Sequence, residues 1–124
     1  MTALRWLLIA GALALAPVTV HAEAVTSDDV VAWTYYYSEV YGADAEDLLR
    51  IARCESKLYP YAKGALGEVG PYQWHPRGAW WITPQSQEYS IYDVEAQVAG
   101  AAWLYAEGYA YSSLGWWWCS RYGA

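Results

Sequence analysis

The chain has 124 residues, with 13 Asp and Glu against 7 Lys and Arg, and it contains 9 Trp and 13 Tyr but no Phe. This length allows one small domain with a single hydrophobic core. The net charge of −6 argues against a nucleic-acid partner, because an acidic surface repels a phosphate backbone.

Residues 1–22 have the pattern of a signal peptide. Arg5 precedes the apolar run 6–16, Pro17 breaks it, and the small-x-small residues 20–22 predict cleavage after Ala22. The run is shorter than the roughly 20 residues that a membrane span needs. We therefore expect a periplasmic or secreted protein, without stable membrane insertion once the signal is removed, whose mature domain is 23–124. Six basic and 13 acidic residues follow Ala22, so this domain carries a net charge of −7.

The mature domain is predicted to be mainly α-helical. Thr26 or Ser27 is expected to cap a first helix that Gly42 ends. The helical spacing of its larger apolar side chains predicts an inward face made of Val30, Trp33, Tyr37, Val40 and Tyr41.

Two further helices are predicted on either side of a long loop. The second helix starts at Asp44, with Asp47 as its capping-box partner, and runs to residue 53 or 55. The third runs from residue 91 to about 107, capped by Ser90 and Asp93. Residues 56–90 hold four of the five prolines and are predicted to be loop, with one short helix near 77–81. A loop this long in a compact domain is usually functional.

Two cysteines, Cys54 and Cys119, are the only ones in the chain. In an exported protein an even pair predicts a disulfide, here between the second helix and the C-terminal segment; two free thiols are the alternative. The mature domain has a single histidine, His75, and no clustered Cys and His spacing, so neither a metal nor another cofactor is expected.

Glu55 is the first candidate for chemistry. A glutamate at a helix C-terminus lies near negative partial charge, and aromatic walls would desolvate it. Both effects raise a carboxyl pKa, as a general acid at near-neutral pH requires. Taken alone, such a residue is more often a solvated surface glutamate.

The residues around Glu55 follow a wider pattern, Glu-Ser, then Pro-x-Ala, then Gly-x-x-Gly-x-x-Gln. It is formed by Glu55, Ser56, Pro60, Ala62, Gly67, Gly70 and Gln73. In this the chain resembles the soluble lytic transglycosylases and related lysozyme-like domains, over about residues 48–105. Gln97 and Gly100 lie where the later helix of that family has Asn and Gly. Gly64 replaces a serine that is common in the family, and the family's Ala-Tyr-Asn-Ala-Gly segment is not present.

The resemblance implies a lysozyme-like single domain that cleaves peptidoglycan strands between N-acetylmuramic acid and N-acetylglucosamine. It implies that Glu55 is the catalytic acid, that Ser56 hydrogen-bonds near the carboxylate or the substrate, and that Gln73 lies in the substrate groove. Gly67 and Gly70 would allow the turn that brings the loop back over Glu55. In such a transglycosylase no second acid is needed, because a group of the substrate closes on the cationic carbon.

Other functions stay open at this point. A hydrolytic muramidase or chitinase-like enzyme would need a second carboxylate, for which Glu68, Asp93 and Glu95 are the nearest candidates. Glu68 is more simply interpreted as a solvated loop acid. A non-catalytic glycan-binding or assembly module on the same fold is the alternative from another class.

The aromatic residues are the second signal for a glycan. Trp and Tyr combine an apolar ring with a polar group, which suits a wet groove. Tyr72, Trp74, Trp80 and Trp81 are the candidates for stacking on sugar rings, with core packing as the alternative. Trp103 and at least one of residues 116–118 are expected in the core. We expect a monomer that acts on peptidoglycan or a related N-acetylated glycan.

Overall fold

Within residues 23–112 and 115–122, which the computed structural model describes, the chain forms four α-helices and no β-strand. The predicted signal peptide lies outside these residues. The α-helices are α1 (Ser27–Tyr41), α2 (Ala45–Ser56), α3 (Val94–Ala106) and α4 (Trp117–Tyr122), and two 3-10 helices span Ala79–Ile82 and Pro84–Gln87. The mainly α-helical class predicted from the sequence is therefore confirmed.

Helix α1 begins at a complete capping box. The Thr26 hydroxyl accepts from the Asp29 backbone N–H at 3.2 Å, and the Asp29 carboxylate accepts from the Thr26 N–H at 2.8 Å. The predicted inward face is wrong at Val40, which is 56% exposed. The buried stripe instead follows Thr34 and Ser38 at i, i+4 spacing, which leaves Val40 on the outer side of the helix.

Helices α2 and α3 each begin at an aspartate. Asp44 accepts from the Asp47 N–H at 3.1 Å, and Asp93 accepts from the Ala96 N–H at 2.9 Å. The start predicted for α3 at residue 91 is three residues too early. Since Asp93 caps the helix, residues 91 and 92 form a turn in which the Ser90 hydroxyl accepts from the Tyr92 N–H.

Helix α3 is the centre of the fold. It packs against α1, α2 and the second 3-10 helix, and almost every residue from Val94 to Leu104 is buried. A helix that is apolar on all sides needs neighbours on all sides. The loop between α2 and α3 provides part of this cover through Trp74 and Trp80, whose rings pack with centroids 5.5 Å apart. Part of the loop therefore belongs to the hydrophobic core, and the rest lies on the surface.

The C-terminal segment is held to the end of α2 by two kinds of bond. Cys54 and Cys119 form the predicted disulfide, with their Cα atoms 5.7 Å apart. One turn earlier on α2, Arg50 donates to the backbone oxygens of Cys119 and Ser120 at 2.8 and 2.9 Å. Helix α4 is thereby held close to Glu55, the residue that follows Cys54.

Replacing Cys54 by Ser should lower the melting temperature by more than about 10 °C. The bond spans 65 residues, and the chain-entropy model gives about 4 kcal/mol for closing a loop of that length. Thermal melts with and without reductant measure this, with the double variant Cys54→Ser, Cys119→Ser as control. Wild type should lose stability on reduction while both variants stay unchanged; identical wild-type melts under both conditions would contradict the expectation.

Candidate active site

Glu55 lies at the end of α2, where the chain reverses direction. Lys57 and Leu58 both adopt left-handed backbone conformations, with φ of 55° and 62°, and the Lys57 N–H donates to the Arg53 carbonyl at 3.0 Å. The left-handed backbone at Lys57 ends the helix at Ser56, one residue after Glu55. The Glu55 side chain is half-buried, so its carboxyl group is neither free in solvent nor part of the core.

The loop after α2 folds back through two isolated β-bridges. Val69 pairs with Lys63 on one side and with Trp74 on the other. The chain turns between the paired residues of each bridge, and a glycine in each turn has left-handed backbone, with φ of 88° at Gly67 and 80° at Gly70. A residue with a Cβ is strained there, which explains why these two positions are glycine.

Glu55, Gln73 and this folded loop line a cleft of about 340 Å³, within the size range of ligand sites. Its lining residues are Glu55, Gly64, Ala65, Glu68, Gln73, His75, Gly115, Trp116 and Trp118. The cleft thus joins the end of α2, the loop and the C-terminal segment, the three parts that the disulfide and the bridges hold together.

The environment of the cleft changes the acidity of Glu55. Burial raises the pKa of its carboxyl group to about 7, and the negative charge of Glu68 acts in the same direction. A large fraction of Glu55 is therefore protonated at neutral pH, and it can give up a proton.

Glu68 is half-buried in this cleft, in contrast to the solvated loop acid expected from the sequence. One carboxylate oxygen accepts from the Leu66 N–H at 2.9 Å. The same oxygen lies 2.1 Å from the point where a Cβ on Gly64 would stand. Glycine at position 64 leaves room for the carboxylate in this position, and any larger residue would require the Glu68 side chain to move.

Gln73 contributes an amide to the cleft. Its Nε2 donates to the Gly70 carbonyl at 2.9 Å, and its backbone is left-handed with φ of 50°. Its Oε1 lies 2.7 Å from the same Cβ position on Gly64, close to the Glu68 carboxylate. The amide and the Glu68 carboxylate therefore meet in one small region of the cleft that Glu55 also lines.

Ser56, predicted to bind substrate, is not among the residues that line the cleft. Its hydroxyl donates toward the backbone oxygens of Pro71, at 2.7 Å, and Ala52, at 3.1 Å. It links the end of α2 to the turn that carries Gln73. The structure therefore gives Ser56 a supporting position.

The prediction that Tyr72 and Trp74 stack on sugar rings is wrong, because the protein covers both side chains, which are 0% and 3% exposed. The Tyr72 hydroxyl shares a hydrogen bond with Thr34, and the Trp74 Nε1 donates to the Gln97 carbonyl at 3.0 Å. Both rings pack against Trp116, with centroids 5.5 and 5.6 Å away. They pack in the core against Trp116, which lines the cleft.

Other tryptophan rings are exposed, and one of them lines the cleft. Trp80 is buried like Trp74, whereas Trp81 is 57% exposed and donates to the Pro76 carbonyl outside the cleft lining. Trp118 is 65% exposed and lines the cleft. The prediction that at least one of residues 116–118 lies in the core is confirmed by Trp116, which is buried, whereas nothing in the prediction singles out Trp118 for the site. Its position just before Cys119, which is bonded to the neighbour of Glu55, was the available signal.

Compared with protein-family models, curated proteins and solved structures, the chain has no match. The likeness to lytic transglycosylases therefore rests on the residues themselves. In the described part of the chain, His, Cys, Asp and Glu side chains form no group able to hold a metal ion. None of the helices described is long and apolar enough to cross a bilayer.

Proposed function

We propose that this protein cleaves the glycan strands of peptidoglycan, between N-acetylmuramic acid and N-acetylglucosamine, with Glu55 as general acid. The observation that carries the proposal is a half-buried carboxyl group with a pKa of about 7 in a cleft. The motif shared with lytic transglycosylases and their lysozyme-like relatives supports the choice of substrate, and we propose the lysozyme-like fold on the same ground.

In the proposed reaction, protonated Glu55 gives its proton to the oxygen of the glycosidic bond. The bond between that oxygen and the anomeric carbon breaks, and positive charge develops on the sugar ring. The Glu55 carboxylate left behind faces this charge at short range, in a site where burial strengthens the attraction. Ser56 links the end of α2, which carries Glu55, to the loop, and the disulfide links it to the C-terminal segment.

Substrate binding would depend on stacking and hydrogen bonds. The described lining of the cleft contains no Lys or Arg, and the mature domain carries a net charge of −7. Trp118 offers an exposed ring to one face of a sugar, and Gln73 offers an amide to its hydroxyl or N-acetyl groups. A neutral stretch of N-acetylated glycan fits this lining better than an anionic polymer does.

The compartment we propose is periplasmic or extracellular. A disulfide between Cys54 and Cys119 supports it, since such bonds persist in oxidising environments. Peptidoglycan lies in the same compartment, so the proposed enzyme would meet its substrate there. Action as a monomer is the simplest form of this proposal, because the cleft is lined by one chain.

The dependence of the cleavage rate on pH tests the role of Glu55. The general acid must be protonated, so release of soluble fragments from purified peptidoglycan should fall as the pH rises through about 7. Above that point the expected decline approaches tenfold per pH unit. Thermal melts across the range control for unfolding. A rate that stays level from pH 6 to pH 9 in folded protein would contradict Glu55 as the acid.

A further inference from the structure

Resting on the proposed function, we propose that Glu68 is the second carboxylate of the reaction. It binds and deprotonates the water molecule that attacks the anomeric carbon. The products would then be hydrolysed sugars with a reducing end, in place of the anhydro sugars that the resemblance to lytic transglycosylases implies.

The geometry places Glu68 and Glu55 in one cleft, from different parts of the chain. Glu55 comes from the end of α2, and Glu68 comes from the loop that folds back beside it. The loop is held at Glu68 and at the residue after it: the Gly64 N–H donates to the Glu68 carbonyl at 2.9 Å, and the Val69 N–H donates to the Trp74 carbonyl at 2.9 Å. The backbone at Glu68 is thus fixed.

The side chain of Glu68 is also built into the cleft. Its carboxylate occupies the space that a side chain at position 64 would take, and the Leu66 N–H holds one oxygen. In the family pattern this position is commonly serine, whose Cβ would stand 2.1 Å from that oxygen. A side chain at position 64 would force the carboxylate to move, so glycine there permits the position that Glu68 takes.

The proposed step is balanced. Glu55 gives its proton to the glycosidic oxygen, which takes the electron pair of the breaking bond and leaves as a hydroxyl group. The oxygen of one water molecule forms the new bond to the anomeric carbon, and its proton passes to the Glu68 carboxylate. Exchange with solvent returns a proton to Glu55 and removes one from Glu68, and no further reactant is needed.

Cleavage of purified peptidoglycan in ¹⁸O-water, analysed by mass spectrometry, tests the proposal. Wild type should give reducing-end products that carry one ¹⁸O atom. Anhydro products without ¹⁸O, absent with Glu55→Gln, would overturn the role of Glu68 and leave the proposed function intact. An absence of any product from wild type would overturn both.

Variants test Glu68 itself. Glu68→Ala should lose roughly 10²- to 10⁴-fold in rate, and sodium azide should restore turnover with formation of a glycosyl azide, because azide attacks without deprotonation. Gly64→Ser, which displaces the carboxylate, should show a loss in the same direction, and Glu39→Gln on the exposed side of α1 serves as control. Wild-type rates for Glu68→Ala, or a loss that azide does not restore, would overturn the proposal.

Discussion

Replacing Glu55 by Gln should reduce cleavage of peptidoglycan by roughly 10²- to 10⁴-fold, because the amide cannot give a proton to the glycosidic oxygen. Gln keeps the shape of the side chain, so the cleft and its hydrogen bonds should persist. Binding of soluble glycan fragments, measured by calorimetry, should change little. If Glu55→Gln keeps wild-type activity, Glu55 is not the catalytic acid. If wild type binds glycan as well as the variant does but shows no cleavage, the non-catalytic module is favoured.

The same substitution should also stabilise the protein at alkaline pH. The pKa of Glu55 in the folded chain, about 7, lies above its ordinary value of 4.5. Between these values the folded state holds more protons than the unfolded state, so stability falls as the pH rises from 4.5 to about 7. Gln has no charge to desolvate. The melting temperature of Glu55→Gln should exceed that of wild type at pH 8, and the difference should shrink at pH 4. An equal difference at both pH values would contradict burial as the cause of the raised pKa.

Replacing Gly70 by Ala should destabilise the fold by about 2–5 kcal/mol. Left-handed backbone, with φ of 80°, costs a residue with a Cβ about 1–2 kcal/mol. The new Cβ would also stand 1.6 Å from the Oε1 of Gln97, which is 2% exposed in the core. Overpacking of this kind adds about 1–3 kcal/mol. Denaturant unfolding measures the total.

A matched control separates these two effects. Gly108 has φ of 85°, and a Cβ there would meet nothing within 4 Å, so Gly108→Ala should lose only the 1–2 kcal/mol of backbone strain. In a Gln97→Ala background the cost of Gly70→Ala should fall to the same value. If Gly70→Ala and Gly108→Ala cost the same in wild type, contact with Gln97 does not restrict position 70.

The helices could largely be predicted from the sequence because their signals are local. Thr26, Asp44 and Asp93 cap the three long helices within hydrogen-bond reach of residues three positions on. The burial of Thr34 could not be predicted, because its hydroxyl is satisfied by Tyr72, 38 positions away in the chain. Polar residues enter a core when a distant partner exists, and one sequence does not show such partners.

The candidate site likewise contains residues that the sequence could predict and residues whose positions depend on packing. Glu55 and Gln73 follow from spacing in the chain, whereas the burial of Tyr72 and Trp74 depends on how the loop packs onto α3 and Trp116. The position of the Glu68 carboxylate uses space that glycine at position 64 leaves open, and sequence spacing does not show that these two loop positions meet. A glycine where the family commonly has serine, followed four residues later by an acid, is the signal that could have indicated it.

The most direct test of the central claim is mass spectrometry of the soluble products that the purified protein releases from peptidoglycan, with Glu55→Gln treated in parallel. We expect muropeptides cut between N-acetylmuramic acid and N-acetylglucosamine from wild type, and almost none from the variant. Folded wild-type protein that releases no fragments, or a Glu55→Gln variant that releases as many as wild type, would contradict the proposal that this cleft cleaves glycan strands through Glu55.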